Sequence, residues 1–107
     1  MFRINEKEFE KKGITRDQFV KALQGEGLAV DVGYMPLYTF PCVSCADTNR
    51  MIDAKVDTTL LPVCEKVSKK LCIWMYQSVL LGTREDMDDI VTALKKVWEC
   101  ADEVRAL

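Results

Sequence analysis

Hydrophobic residues recur at steps of three and four along the C-terminal third of the chain. The recurring positions are Met87, Ile90, Val91, Leu94, Val97, Trp98, Ala101 and Val104. This spacing predicts an amphipathic helix with one buried face. Thr83 and Asp86 form a capping-box pattern, so the helix should begin there. At about 23 residues it would span roughly 34 Å, so we expect its C-terminal turns to overhang the domain or meet a partner.

Shorter patterns at the N-terminal end predict two strands. Apolar and polar residues alternate over residues 1–5 (MFRIN) and again over residues 28–33 (LAVDVG). Such alternation is typical of half-buried strands. Residues 5–13 are polar and charged, and we expect a connecting loop there.

A second helix is predicted between these two strands. Thr15 and Gln18 form another capping box, and Ile14 precedes the cap where it can pack on Phe19. The helix should run to about Leu23, because a glycine-rich GEG sequence follows it. The chain therefore begins with a strand, a helix and a strand.

Residues 34–61 form a long segment without periodicity. The segment contains Pro36, Pro41 and several polar residues, although VDTTL within it could form a short extended piece. Structureless segments of this length are uncommon in compact domains and are usually functional. We therefore regard residues 34–61 as a candidate for a site.

The next elements are a short helix starting at Pro62 and a strand over residues 71–76 (LCIWMY). Both faces of that strand are apolar, so it needs a layer on each side, and some of the cover should come from outside the chain. The predicted order is β-α-β-α-β-α. The fold class is α/β, a small open sandwich of about three strands and about three helices forming a single domain over residues 1–107.

Composition excludes several classes of function. The chain has 49% hydrophobic and 30% charged residues and a net charge of -2, which is ordinary for a globular domain and gives no basic surface for nucleic acid or anionic membranes. It has no apolar run long enough for a membrane span, and we expect a cytoplasmic protein. Histidine is absent, which removes Ser-His and Cys-His catalysis.

The five cysteines favour free thiols rather than a disulfide framework. Cys42 and Cys45 form a CVSC pair, but it lacks the second pair of a zinc site and the helix start of a redox dithiol. Cys64, Cys72 and Cys100 occupy positions that read as apolar faces. A redox role for the CVSC pair stays open as a minor alternative, and no metal site is predicted.

The remaining candidates lie at element ends or in the long segment. Lys69 and Lys70 are expected on a solvated helix face rather than in a Schiff-base pocket. The acids at 86, 88 and 89 suit a helix start better than a cation site, and both tryptophans are expected in the core. Four polar-tipped residues are the candidate site residues: Tyr34, Tyr38, Gln77 and Ser78.

Several segments, taken in order, resemble one enzyme family. They are residues 15–27 (TRDQFVKALQGEG), 33–38 (GYMPLY), 61–66 (LPVCEK), 80–82 (LLG), 86–90 (DMDDI) and 93–97 (ALKKV). Together they resemble the C-terminal part of PLP-dependent sugar and cyclitol aminotransferases of the DegT/DnrJ type, which belong to fold type I. Two positions depart from the family pattern: Thr39 stands where many relatives have arginine, and Gln77 where many have histidine.

The resemblance implies that the chain is a small C-terminal domain. In that family a larger N-terminal domain binds PLP and carries the lysine that forms the internal aldimine, and the enzymes are homodimers. The chain would then transfer no amino group alone, and it would hold no catalytic, cofactor-binding or metal residue of its own. Tyr34 and Tyr38 fall on the tyrosines that approach the substrate side, and the resemblance implies that Gln77 and Ser78 are substrate-side residues as well.

A different class of function remains open beside this one. The chain could be a free-standing α/β module that assembles through an exposed apolar surface. In either case we expect self-association, since the uncovered surface should pair with a second copy.

Overall fold

The fold is a small antiparallel sheet with helices packed on it. The computed structural model describes residues 1–40 and 61–107. Three short strands pair in the order β1-β3-β2, and they are β1 (Phe2–Arg3), β2 (Val30–Asp31) and β3 (Cys72–Met75). Both edge strands run antiparallel to β3, with Phe2 opposite Ile73 and Val30 opposite Met75. The predicted α/β class and open sandwich are confirmed.

Five α-helices lie in the described residues, against about three expected. They are α1 (Glu6–Lys12), α2 (Arg16–Gly25), α3 (Pro62–Lys66), α4 (Arg84–Glu99) and α5 (Ala101–Val104). A π-helical turn, Val67–Leu71, continues α3 into β3, and two 3-10 turns cover Leu37–Thr39 and Gln77–Leu81. Pro62 stands in the first turn of α3, as predicted.

Helix α1 corrects the loop that we expected over residues 5–13. Its glutamates lie in the first turn and its lysines in the last, so the side-chain charges complement the helix dipole. Gly13 closes the helix in the left-handed conformation, with φ of 64°. Phe9 is its one buried residue and joins the core. A helix this short with one buried side chain shows no apolar periodicity, which is why the pattern predicted a loop.

Both predicted capping boxes are present. The Thr15 hydroxyl accepts from the Gln18 backbone N–H at 3.2 Å, and the Gln18 side chain accepts from the Thr15 N–H at 2.9 Å. At α4, the Asp86 carboxylate accepts from the Thr83 N–H at 2.6 Å. These bonds lower the pKa of Asp86, because they stabilise its charged form, the backbone bond most. Each box satisfies amides that the first helical turn leaves without an intrahelical partner.

The C-terminal turns that we expected to overhang the domain are buried, and the N-terminal half of α4 is the exposed end. Val97, Ala101 and Val104, towards the C-terminus, are at most 5% exposed, whereas Val91 in the first half is 46% exposed. The single long helix that we expected is also divided, because the backbone departs from helical geometry at Cys100 and α5 follows. The C-terminal turns therefore anchor the helix in the core, and its N-terminal half is the part that lies on the surface.

The core lies between one face of the sheet and helices α1, α2, α4 and α5. Its buried members are Phe9, Ile14, Phe19, Val20, Leu23, Leu28, Val30, Ile73, Val97, Ala101 and Val104. Three rings meet inside it, with Phe9 centred 5.2 Å from Phe19 and 5.1 Å from Trp98. Trp98 is thus a core aromatic, as predicted.

Arg16 is the one buried charged residue in the described part of the chain, at 7% exposure. Its guanidinium donates to the backbone carbonyls of Val32, Ser68, Lys69 and Cys72 at 2.7 to 3.1 Å. Its Nε also pairs with the Asp17 carboxylate at 2.5 Å. One side chain on α2 therefore joins the chain just after β2 to the π-helical turn and to the start of β3.

Candidate functional site

A cleft opens on the face of the sheet that the core does not cover. It encloses about 470 Å³. Its lining includes Asp31, Gly33, Tyr34, Trp74, Tyr76 and Gln77, with Met1 and Met75 beside them. We call this the aromatic cleft, because three of its side chains are aromatic. Its volume lies within the range of small-molecule sites in proteins.

The aromatic cleft exists because the outward face of β3 is apolar. Trp74 and Tyr76 alternate with Ile73 and Met75, so they point away from the core. Trp74 is 37% exposed and Tyr76 is 57% exposed. The expectation that Trp74 is a core residue was therefore wrong. Both rings lie on a face of β3 for which we expected part of the cover to come from outside the chain, and that expectation stays a prediction.

Gly33 and Tyr34 hold the indole of Trp74 from one side. The Tyr34 ring meets it edge-on, with centroids 4.9 Å apart and planes at 79°. The Gly33 backbone lies directly against it, since a Cβ at that position would fall 2.0 Å from Cδ1 of Trp74. The positive φ of Gly33, 84°, is also a conformation that favours glycine. Gly33 and Tyr34 therefore pack closely against one side of the Trp74 indole.

Asp31 supplies a negative charge beside this aromatic surface. It pairs with Trp74 across the β2–β3 ladder, so the two side chains leave the same face of the sheet. One carboxylate oxygen accepts from the Val32 N–H at 2.6 Å. Gln77, in the 3-10 turn that follows β3, adds an exposed amide to the same cleft.

Tyr38 belongs to a different cluster, on the surface of α3. Its hydroxyl donates to the carboxylate of Glu65, which also pairs with the ammonium of Lys69. The bond to Glu65 raises the pKa of Tyr38 to about 12, because the neutral phenol is the donor and the neighbouring carboxylate repels a phenolate. The pKa of Glu65 is lowered, first by Lys69 and then by Tyr38. The cluster fixes the 3-10 turn at residues 37–39 to α3.

The structure brings together two of the four predicted site residues. Tyr34 and Gln77 both line the aromatic cleft, and Tyr38 is bound to α3 instead. Ser78 is exposed in the 3-10 turn next to Gln77 but is not among the lining residues. Their predicted contact with a substrate stays a prediction.

Sequence reasoning missed Asp31, Trp74 and Tyr76 as members of the cleft. The alternation along residues 71–76 indicated that Trp74 and Tyr76 share a face. What it could not indicate was which face the helices cover, or that β2 pairs with β3 and sets Asp31 opposite Trp74.

The other candidate chemistries find little support in the described residues. Cys42 and Cys45 lie outside them, and Cys64 is exposed rather than on an apolar face as expected. Within residues 1–40 and 61–107 there is no group of three potential metal ligands. Lys69 and Lys70 are exposed, as predicted, and the ammonium of Lys69 forms an ion pair with the Glu65 carboxylate. None of the helices in these ranges combines the length and apolar character that crossing a bilayer requires.

Comparison with known proteins relates the chain to aminotransferases. It is 31% identical over 102 residues to the L-glutamine:2-deoxy-scyllo-inosose aminotransferase of Streptoalloteichus tenebrarius, covering 88% of this chain and 24% of that protein. A putative L-glutamine:3-amino-2,3-dideoxy-scyllo-inosose aminotransferase of the same organism is 30% identical, with 87% and 24% covered. The chain thus spans about a quarter of the length of these relatives. No family model and no solved structure matches it.

Proposed function

We propose that this chain is the C-terminal small domain of a PLP-dependent cyclitol or sugar aminotransferase of the DegT/DnrJ type, and that it is not catalytic alone. The observation that carries the proposal is similarity to two cyclitol aminotransferases along nearly all of this chain but only a quarter of theirs. The proposed reaction moves the amino group of L-glutamine or a similar donor to a keto cyclitol or keto sugar. The proposed location is the cytoplasm.

The described residues do not fit a complete PLP site. None of the nine described lysines lines the aromatic cleft, and Lys69 is held in an exposed ion pair. PLP, when bound to a protein, provides the group that carries the amino nitrogen between substrates. We therefore assign PLP binding and the cofactor lysine to a separate N-terminal domain, the missing partner of this chain.

The role that we assign to this chain is to form one wall of the substrate site. Tyr34 and Gln77 would face the substrate from the aromatic cleft, where Trp74 offers a flat apolar surface. Binding sites commonly lie where two domains meet. The exposed aromatic face of the sheet supports such a position, because it lacks cover from the described residues.

A chimeric enzyme tests this proposal. The matching 102-residue part of the 2-deoxy-scyllo-inosose aminotransferase is replaced by this chain, and PLP binding and glutamine-dependent transamination are measured. We expect a folded chimera that retains PLP and measurable activity, and no activity from this chain alone with added PLP. A folded, PLP-loaded chimera without activity would contradict the proposal, and so would transamination by this chain alone.

A free-standing interaction module is the second candidate. The exposed aromatic rings of the cleft favour it, because large exposed apolar patches often mark binding surfaces. It predicts a stable homodimer of this chain, which sedimentation velocity can detect, together with no transamination activity in the chimera; the dimer alone is expected under both candidates. The matched variant Trp74→Glu should convert such a dimer to monomer, whereas Val63→Glu, exposed on α3 and outside the cleft, should leave it intact.

A further inference from the structure

One outward face of α4 carries charged residues of alternating sign. Arg84, Asp88, Lys95 and Glu99 lie along it, with Val91 between the inner two. Residues three, four or seven positions apart lie on the same side of a helix, so these five side chains form a single row. All five are exposed. We call this row the α4 stripe.

The charges of the α4 stripe have no partner of opposite sign in the part of the chain that the structure describes. None of the four forms an ion pair with another described residue. Arg84 and Asp88 are spaced to pair along the helix, as are Lys95 and Glu99, and neither pair forms. The stripe therefore presents four charged groups that another molecule can pair with.

An apolar groove borders the α4 stripe. Val91, Leu94 and Trp98 of α4 line it, together with Phe2 and Ile4 from the start of the chain. The groove encloses about 310 Å³, and Val91, near the middle of the stripe, is 46% exposed. Exposed ion pairs alone contribute little to association, so burial of this apolar surface would supply much of the attraction.

We propose that the α4 stripe docks against the same stripe of a second copy, with the two helices antiparallel. Arg84 and Glu99 are the first and last residues of α4, and Asp88 and Lys95 lie equally far from its middle. A two-fold axis through that middle sets Arg84 opposite Glu99 of the partner subunit. The same axis sets Asp88 opposite Lys95 of the partner subunit. Each pair forms twice, and every pair joins opposite charges.

The order of the charges favours a second copy as the occupant, because the α4 stripe read in reverse is its own complement. A parallel pair of helices would instead set each charge against the same charge of the other copy, which is repulsive. The stripe shares no residue with the lining of the aromatic cleft. The inference is therefore independent of that cleft and rests on neither candidate function.

Sedimentation velocity across a range of protein concentrations and two salt concentrations tests the proposal. Because α4 is about 24 Å long, the contact is small and we expect a weak dimer. The dimer should form best at about 0.01 M salt and weaken at about 1 M, where the Debye length falls from roughly 30 Å to 3 Å. An apolar contact through the aromatic cleft would not weaken with salt.

Charge reversal identifies the residues that meet. Asp88→Lys and Lys95→Asp each set like charges together twice, so we expect either variant alone to dimerise about tenfold or more weakly. An equal mixture of the two variants restores opposite charges at both contacts. We expect that mixture to form a heterodimer about as tight as the unmodified dimer. Arg84→Glu and Glu99→Arg form a second set that should behave in the same way.

Two control variants should dimerise like the unmodified chain. Asp89→Lys reverses an exposed acid on another face of α4, and Trp74→Glu alters the aromatic cleft. Far-UV circular dichroism reports whether each variant is folded. Three results would overturn the inference: a monomer at millimolar concentration in low salt, folded charge-reversal variants that form no heterodimer when mixed, and a dimer that Trp74→Glu abolishes.

Discussion

Removing the guanidinium of the buried Arg16 should strongly destabilise the protein. In Arg16→Met the side chain keeps much of its length and apolar stem but cannot donate hydrogen bonds. Four backbone carbonyls, those of Val32, Ser68, Lys69 and Cys72, then lose their donor. The bond to Cys72 is fully buried, and the other three are partly buried.

The expected magnitude follows from those bonds. A hydrogen bond to a charged group contributes about 1.5–3 kcal/mol, and four would sum to roughly 6–12 kcal/mol if they were independent. They are not independent, because Nη1 has two hydrogens for three of the carbonyls. Water can also reach the partly buried acceptors after the change. Removal of the desolvated charge itself offsets part of the loss. We therefore expect a loss of about 3–5 kcal/mol, a large share of the roughly 5–15 kcal/mol typical of a domain.

Urea unfolding followed by far-UV circular dichroism measures this loss at a fixed protein concentration. Arg16→Lys should recover part of the stability, because an ammonium can donate three bonds but lacks the planar fork. Lys21→Met is the matched control, since Lys21 lies on the same helix, is exposed and donates to the Leu107 backbone oxygen at 3.3 Å. The control should stay within about 0.5 kcal/mol of the unmodified chain. A loss below about 1 kcal/mol in Arg16→Met would refute the anchoring role of the guanidinium.

Three further changes test individual contacts. Thr83→Ala should lower the free energy of unfolding by about 1 kcal/mol. Because the pKa of Asp86 is lowered in the fold, the capping contribution is present above the ordinary aspartate pKa and is lost as the pH falls through the folded value. The stabilities of the variant and the unmodified chain should therefore converge in acid. Gly33→Ala should displace the adjacent indole of Trp74 and lower the free energy of unfolding by about 1–3 kcal/mol. The expected signs are a red shift of tryptophan emission and a lower unfolding midpoint. An unchanged emission spectrum would contradict the close contact between Gly33 and the indole. Glu65→Gln should return the pKa of Tyr38 from about 12 towards the ordinary phenol value, measured by tyrosinate absorbance with Tyr38→Phe as the reference. Because the pKa is raised in the fold, the stability that the Tyr38–Glu65 bond contributes is present below the ordinary phenol pKa and is lost as the pH rises towards 12.

Local chemistry predicted the helix starts better than the helix surfaces. The capping boxes at Thr15 and Thr83 depend on residues three apart, so the sequence alone was sufficient to locate them. Helix α1 carried similar local signals, with acids before lysines and Gly13 after them, but its single buried ring gave no periodicity. The burial of α4 depended on where the sheet ends, and periodicity does not contain that information.

The aromatic cleft could likewise be predicted only in part, because its sequence patterns are local but its assembly is not. The alternation of residues 71–76 and the Gly-Tyr sequence at 33–34 were visible in the chain. Their meeting was not, because it results from the pairing of β2 with β3 across more than forty residues of sequence. The buried environment of Arg16 also depends on contacts 16 to 56 residues away, and a charged residue in the first turn of a helix otherwise reads as exposed.

The guanidinium of Arg16 holds the chain both before and after residues 41–60, through Val32 on one side and the π-helical turn on the other. Both attachment points are bonds to one side chain of α2. A chain cut open anywhere between Val32 and Ser68 would therefore keep both of its new ends tethered to the same helix through the Arg16 guanidinium.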